Sequence, residues 1–222
     1  IIIGQEPGTY ALNITNAGTR AFNGWTGAGA ANIVSETTIG MGSTLNITNT
    51  TAYSGNQSGS KASIVVDGGT LHIKSNTQDY MYGSDTLTIK NGGTFLRDGA
   101  SGETTHTIRM YGNSRIYLQD GNFTTAASSQ APYNTPHFWD GNGTPAFIQS
   151  GGTASCGALS FQAQSDNYYE ISGGSMSLSY SGIQHGNRSG SVKTCGTLRM
   201  RGSKFTFTSA NLGYTYKPED RT

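Results

Sequence analysis

One phrase recurs along this chain and limits what it can fold into. It reads IVVDGGTLHI at 64–73, LTIKNGGTFL at 87–96, AFIQSGGTASC at 146–156 and YEISGGSMSLS at 169–179. Each time a Gly-Gly corner separates two short runs in which every second residue is apolar. A period of two belongs to strands. It places Ile64 and Val66 on one face with Val65 opposite, and Leu71 and Ile73 on one face with His72 pointing away. Gly68 and Gly69 accept conformations closed to residues with a Cβ. The chain can therefore turn sharply while its apolar side chains stay on the concave side. Repeating that corner winds a β-helix, whose rungs bury their inner faces only by stacking on one another.

The corner glycines Gly42, Gly68, Gly92, Gly112, Gly121, Gly151, Gly173 and Gly202 follow at steps of roughly 20 to 30 residues, the short step from Gly112 to Gly121 aside. At about 24 residues per turn the chain makes roughly nine rungs, a rod of ~40–45 Å. Short alternating segments such as STLNIT (43–48), TLTI (86–89), RIYL (115–118) and TLRM (197–200) supply the strands. The expected inward set is Leu45, Ile47, Val66, Leu71, Ile73, Leu87, Ile89, Ile171, Met176, Leu198 and Met200. No stretch carries the i, i+4 apolar stripe of a helix. An antiparallel sandwich would favour two-residue hairpin turns between matched strands, and a propeller would show a four-strand period. The reading is one all-β domain over residues 1–222, a right-handed parallel β-helix (β-solenoid).

Glycine supplies 32 of 222 residues, which raises the question of disorder. Disordered chains are poor in aromatic and β-branched residues, whereas this one has 12 Tyr, 8 Phe and 2 Trp. A net charge of +1 gives no electrostatic footprint for nucleic acid. Arg199 and Arg201, in LRMRG, read as a solvated strand face. No apolar run approaches the ~18 residues of a membrane-spanning helix, so membrane insertion is not expected. The chain opens IIIGQEPG and reads as a segment of a larger exported protein, extracellular or at a bacterial cell surface. Seven Asn-X-Ser/Thr triplets, the first at Asn13 and the last at Asn187, leave glycosylation open.

The GGTL, GGTF, GGT and GGS corners between short strands resemble those of secreted right-handed β-helix proteins over about residues 40 to 208. That group includes autotransporter passengers, adhesin-like repeats and the pectin-lyase-like superfamily. The resemblance implies the fold, and either a surface or adhesive role or polysaccharide chemistry. The acidic or basic catalytic constellations of the polysaccharide-cleaving members do not map onto this sequence.

The 13 acids are spread out, and no close pair suits glycoside hydrolysis. Stacking brings Asp67 and Asp120 to neighbouring corners in this reading, where an Asp before Gly more often serves the turn itself. His72, His106, His137 and His185 lie far apart, without zinc-motif spacing. The calcium nonapeptide and the phosphate-binding loop are absent, so no metal or cofactor is expected. Cys156 and Cys195 share the contexts SCGAL and TCGTL. If one rung separates them, a disulfide is feasible; if two, their Cα atoms lie beyond the ~7 Å limit; buried thiols are the alternative.

The stretch 128–147, SSQAPYNTPHFWDGNGTPAF, holds three of the five prolines and concentrates Tyr133, His137, Phe138, Trp139 and Asp140. It reads as a loop that projects from the rod or packs on its flank, outside the rung pattern. Tyr133, His137, Trp139 and Asp140 are the candidate glycan contacts, since such residues stack on sugar rings and bond hydroxyls; an aromatic cap on the flank is the alternative. Ile1, Ile2 and Ile3 form an uncharged strand edge suited to end-to-end self-association. The functional expectation is a non-enzymatic structural or adhesive β-solenoid. The alternative is a carbohydrate-binding module, or a polysaccharide lyase or hydrolase, on the same scaffold.

Overall fold

The computed structural model describes residues 6, 8–22, 25–26, 32–48, 51–52, 60–74, 79–98, 108–125, 136–138, 143–161, 167–185, 196–202, 205–209 and 212–215. Every regular element among them is a strand. They follow coil by coil. The first coil has β1 (Gly8–Ile14), β2 (Gly18–Phe22) and β3 (Trp25–Thr26), and the second has β4 (Ile33–Gly40), β5 (Ser43–Ile47) and β6 (Thr51–Ala52). The third has β7 (Lys61–Asp67), β8 (Thr70–Lys74) and β9 (Asp79–Met81), and the fourth has β10 (Thr86–Lys90), β11 (Thr94–Asp98) and β12 (Ile108–Met110). The fifth has β13 (Arg115–Leu118), β14 (Asn122–Thr125) and β15 (Pro136–Phe138). The sixth has β16 (Ala146–Gln149) and β17 (Thr153–Phe161), and the seventh has β18 (Asn167–Ile171) and β19 (Gly174–His185). The eighth has β20 (Gly196–Met200), β21 (Phe205–Ser209) and β22 (Leu212–Thr215).

Like strands stack in parallel. The first face is the sheet β1-β4-β7-β10-β13-β16-β18-β20. The second face begins β2-β5-β8-β11-β14 and the third β3-β6-β9-β12-β15, and both pass into β17, long enough to serve the two. β17 and β19 keep their pairing across a register shift between Cys156 and Ala158. The parallel β-solenoid is therefore as the corner motif implies. Eight strands stack in the first face, where the repeat arithmetic gives about nine. The difference has a definite source. Gly112 does not turn the chain from first to second face. It lies over Gly83 and under Gly143, between the third face and the first. Counting it with the other corners shortens the apparent repeat.

Alternation and register together build continuous inner columns. On the first face Ile14, Ile39, Val66, Ile89, Leu118, Gln149, Ile171 and Met200 lie in one column. On the second face Leu45, Leu71, Phe95, Phe123, Ala154 and Met176 form another. Leu45, Ile47, Val66, Leu71, Ile73, Leu87, Ile89, Ile171 and Met176 are buried as expected, and Leu198 packs partly against the core. Met200 is the exception at 48% exposed. Its strand ends the sheet order, so among the described residues the inner column has a neighbour on one side only. Volumes compensate across the core. Where the second face carries only Ala154, Phe147 of the first face fills the space. Its ring lies 5.0 Å from that of Phe123 and 5.1 Å from that of Tyr169.

Polar side chains also occupy inner positions, and two sets of them bond one another. The Tyr169 hydroxyl donates to Gln149, whose amide donates to the carbonyls of Gly152 (3.2 Å) and Ser175 (2.9 Å). Arg97, one alternation step beyond Phe95, meets Asp79 of the third face, and each is only 1% exposed. The outer position of the second face runs Thr19, Thr44, Thr70, Thr94, Asn122, Thr153, Ser175 and Thr206. β-Branched hydroxyl side chains suit such a pleated, half-solvated column.

The Gly-Gly corners answer two separate demands. Gly92 has φ +74, and a Cβ built there meets nothing within 4 Å. Gly93 has an ordinary φ, but a Cβ there would overlap the carbonyl oxygen of Val66 in the coil beneath and lie 3.0 Å from that of Lys90. One glycine supplies the turn; the other lets two coils approach.

Charged residues at this corner tie coils together. Asp67 accepts from the Asn91 amide at 2.6 Å and lies 3.2 Å from the Lys90 ammonium. The Asn91 hydrogen bond, then Lys90, hold its carboxyl below the ordinary value of 3.8. A depressed folded-state pKa stabilises the fold above the unfolded value and is lost as pH falls through the folded one. Acidification below about pH 4 is therefore expected to lower the urea midpoint less in Asp67→Asn than in the parent chain. Equal pH dependence in both would remove Asp67 from the acid response.

Asp67 and Asp120 do not reach neighbouring corners. The Lys90–Asn91 corner of the fourth coil stands between them, because Asp67 pairs with Lys90 and the Asp120 amide is directed at Ile89 of that same coil. The stretch 128–147 also differs from expectation. Its Pro136–Phe138 segment is strand β15, paired with β12 and β17, and Ala146 opens β16. Proline fits there because it is the first residue of its strand.

A candidate ligand-facing surface on the third face

In backbone register on the third face, Tyr80, Arg109, His137 and Ser160 follow on consecutive coils. Strand stacking spaces them by ~4.8 Å. Tyr80 and Arg109 alternate with the inward-facing pairs Asp79/Met81 and Ile108/Met110, so their outward position follows from the sequence. Each strand then enters the turn that leads to the first face, and each turn starts with a tyrosine, Tyr82 and Tyr111.

These rings form one cluster. The Tyr82 and Tyr111 centroids are 4.8 Å apart, Tyr80 and Tyr82 are 5.8 Å apart and nearly parallel at 3°, and Tyr80 lies 6.5 Å from Tyr111. The Arg109 guanidinium sits 5.8 Å over the Tyr80 ring. All four residues are half-buried. The turn beneath is held by Asp85. Its carboxylate accepts from the backbone N–H of Tyr82 at 2.8 Å and of Ala62, one coil below, at 2.9 Å. Burial pushes the Tyr82 phenol up from its ordinary value, with Tyr111 and Tyr80 adding to the shift. Tyr82 therefore keeps its proton at neutral pH. The result is a ledge of stacked rings with hydroxyl groups and one guanidinium, suited to contact with a saccharide ring and its hydroxyls.

Of the residues singled out from sequence, His137 falls in register with this ledge, one coil from Arg109 and two from Tyr80. Tyr133, Trp139 and Asp140 lie outside the described residues, as do Ile1, Ile2, Ile3 and Cys195. The tyrosines were not anticipated. A usable signal was present in YMYG and MYG, where tyrosine precedes glycine at the same turn of successive coils.

Cys156 is a buried thiol that hydrogen-bonds Thr125, and the disulfide expected as feasible with Cys195 falls outside the described residues. Cys156 lies within β17 on the second face, whereas Gly196 opens β20 on the first. Burial pushes the Cys156 thiol up to about 12. Since the thiolate is the nucleophile, iodoacetamide at neutral pH should leave the Cys156 peptide unlabelled in the folded chain and label it in urea. Labelling of the folded chain at the unfolded rate would contradict this burial.

Among the described residues no group of three or more His, Cys, Asp and Glu side chains converges as a metal site would require. No family model, curated protein or solved structure matches this chain.

Proposed function

We propose that this chain is a non-enzymatic structural or adhesive β-solenoid, exported and displayed outside the cell. The observation that carries the reading is the use made of five described acidic side chains. Asp67 meets Lys90 and Asn91, Asp98 meets His72, Asp79 meets Arg97, Asp85 meets the Ala62 amide, and Glu170 meets Arg201. Each contact joins one coil to the next. Carboxylates that brace a rod are engaged, whereas acid–base chemistry on a glycosidic bond needs two facing a shared substrate.

Carbohydrate binding is the second reading, and the tyrosine ledge in register with His137 favours it. A lyase or hydrolase on the same scaffold is the remaining alternative. Self-association through the solenoid ends belongs to the first reading, because strand edges at an end template further strands.

The test is a glycan array run beside a product assay on acidic polysaccharides, with light scattering over a concentration series. Retention of a glycan without product, or concentration-dependent association, is the expected result. Turnover of any polysaccharide would overturn the non-enzymatic reading. Monomers at every concentration with an empty array would overturn the adhesive one.

A further inference from the structure

The first face carries a second cluster on its last four coils, of which only the Glu170–Arg201 contact belongs to the bracing pattern. Two outward columns run there. One is Arg115, Ala146, Tyr168 and Thr197; the other is Tyr117, Ile148, Glu170 and Arg199. Alanine at the sixth coil lets its larger neighbours close over it, and Ala146 is fully buried. The Arg199 guanidinium lies 3.9 Å over the Tyr168 ring, and that of Arg115 lies 5.8 Å from the same ring. Tyr168 thus holds two guanidinium groups on one surface. Arg115 is further fixed by its bonds to the carbonyls of Ser114 (2.9 Å) and Thr144 and to the Thr144 hydroxyl (3.1 Å).

Charge is not balanced here. Glu170 is shared between Arg201 at 3.2 Å and Arg199 at 4.0 Å. Among the described residues, three arginines against that single glutamate leave a local excess of two positive charges. The side chains of Arg199 and Arg201 remain 39% and 63% exposed, while Glu170 is 22% exposed. The cations therefore face solvent more than the anion between them. A planar guanidinium presents a fork of donors that matches the oxygens of a sulfate or carboxylate.

We infer that Arg115, Tyr168, Arg199 and Arg201 form a binding site for a polyanionic glycan lying along the first face. The inference rests on the adhesive reading and gives it a ligand class. Arg199 and Arg201 hold the anionic groups, Tyr168 offers an apolar edge to a sugar ring, and Arg115 holds the near side of the site. Duplex nucleic acid fits less well. It carries a charge every ~1.7 Å along its axis, far denser than this patch.

The experiment measures binding of the full chain to dextran sulfate, polygalacturonate and neutral dextran by isothermal titration calorimetry at two salt concentrations. Binding to at least one charged polymer, weakened by salt and absent for neutral dextran, is the expected result. Comparison of the two charged polymers separates sulfate from carboxylate recognition. The double variant Arg199→Gln/Arg201→Gln should lose about tenfold or more in affinity. The double variant Lys61→Gln/Lys74→Gln, at exposed positions elsewhere, should keep it, with circular dichroism unchanged in both. No polyanion binding, an equal loss in both variants, or equal affinity for duplex DNA would overturn the site. A glycan-array signal that survives the arginine variant would overturn this site while leaving the adhesive reading intact.

Discussion

Gly93→Ala should destabilise the protein by about 3–5 kcal/mol or prevent folding, while its neighbour Gly92→Ala should cost only about 1 kcal/mol. The two substitutions add the same methyl group one residue apart. At Gly92 the methyl has open space, and its cost is the left-handed backbone at φ +74. Part of that cost is offset because alanine also restricts the unfolded chain. At Gly93 the methyl falls on the Val66 carbonyl oxygen. That atom belongs to backbone, and the corner cannot shift to relieve the overlap. The Gly93 amide donates to Lys90 at 3.0 Å, its carbonyl accepts from Asn122 at 2.8 Å, and Thr94 donates to Gly69 at 2.9 Å. Urea unfolding of the two variants beside the parent chain gives the comparison directly. Equal midpoints for the two would mean that close approach of coils is not what requires the second glycine.

The second large effect is expected at the buried ion pair. Asp79→Ala should cost about 3–5 kcal/mol, because it leaves the Arg97 guanidinium in the core without its carboxylate. Replacing both, as Asp79→Leu/Arg97→Met, should recover most of that loss, since a well-packed apolar pair often matches a buried ion pair in stability. The double-mutant cycle is read from urea midpoints. A double variant as unstable as Asp79→Ala alone would show that the pair contributes through the other bonds of Asp79 and Arg97 rather than through each other. The pair joins the second face of the fourth coil to the third face of the coil before it. Its loss should therefore be felt where the two faces meet.

Alternation by itself determined a great deal. It placed Val66, Leu71, Ile89 and Ile171 inside because a strand has only two faces and apolar residues take the one without water. Gly-Gly between such runs fixed the place of the first-to-second corner, since few other residues satisfy that turn. The same alternation carried Arg97 inward beside Phe95. Only the stacked coils show why a charge is tolerated there, because Asp79 arrives from a strand 18 residues earlier. The exposure of Met200 follows from its strand being last in the sheet order, a property of neighbours and not of TLRM. β15 was hidden for a similar reason. Three residues with a leading proline carry too little local signal to read as a strand, and pairing with β12 and β17 decides it. The tyrosine ledge and the Arg–Tyr–Glu cluster join residues from different coils, such as Tyr80 with Tyr111 and Arg115 with Tyr168. Their members become neighbours only when the coil length of each turn is known, and that length is set by the loops between strands, which no local pattern specifies.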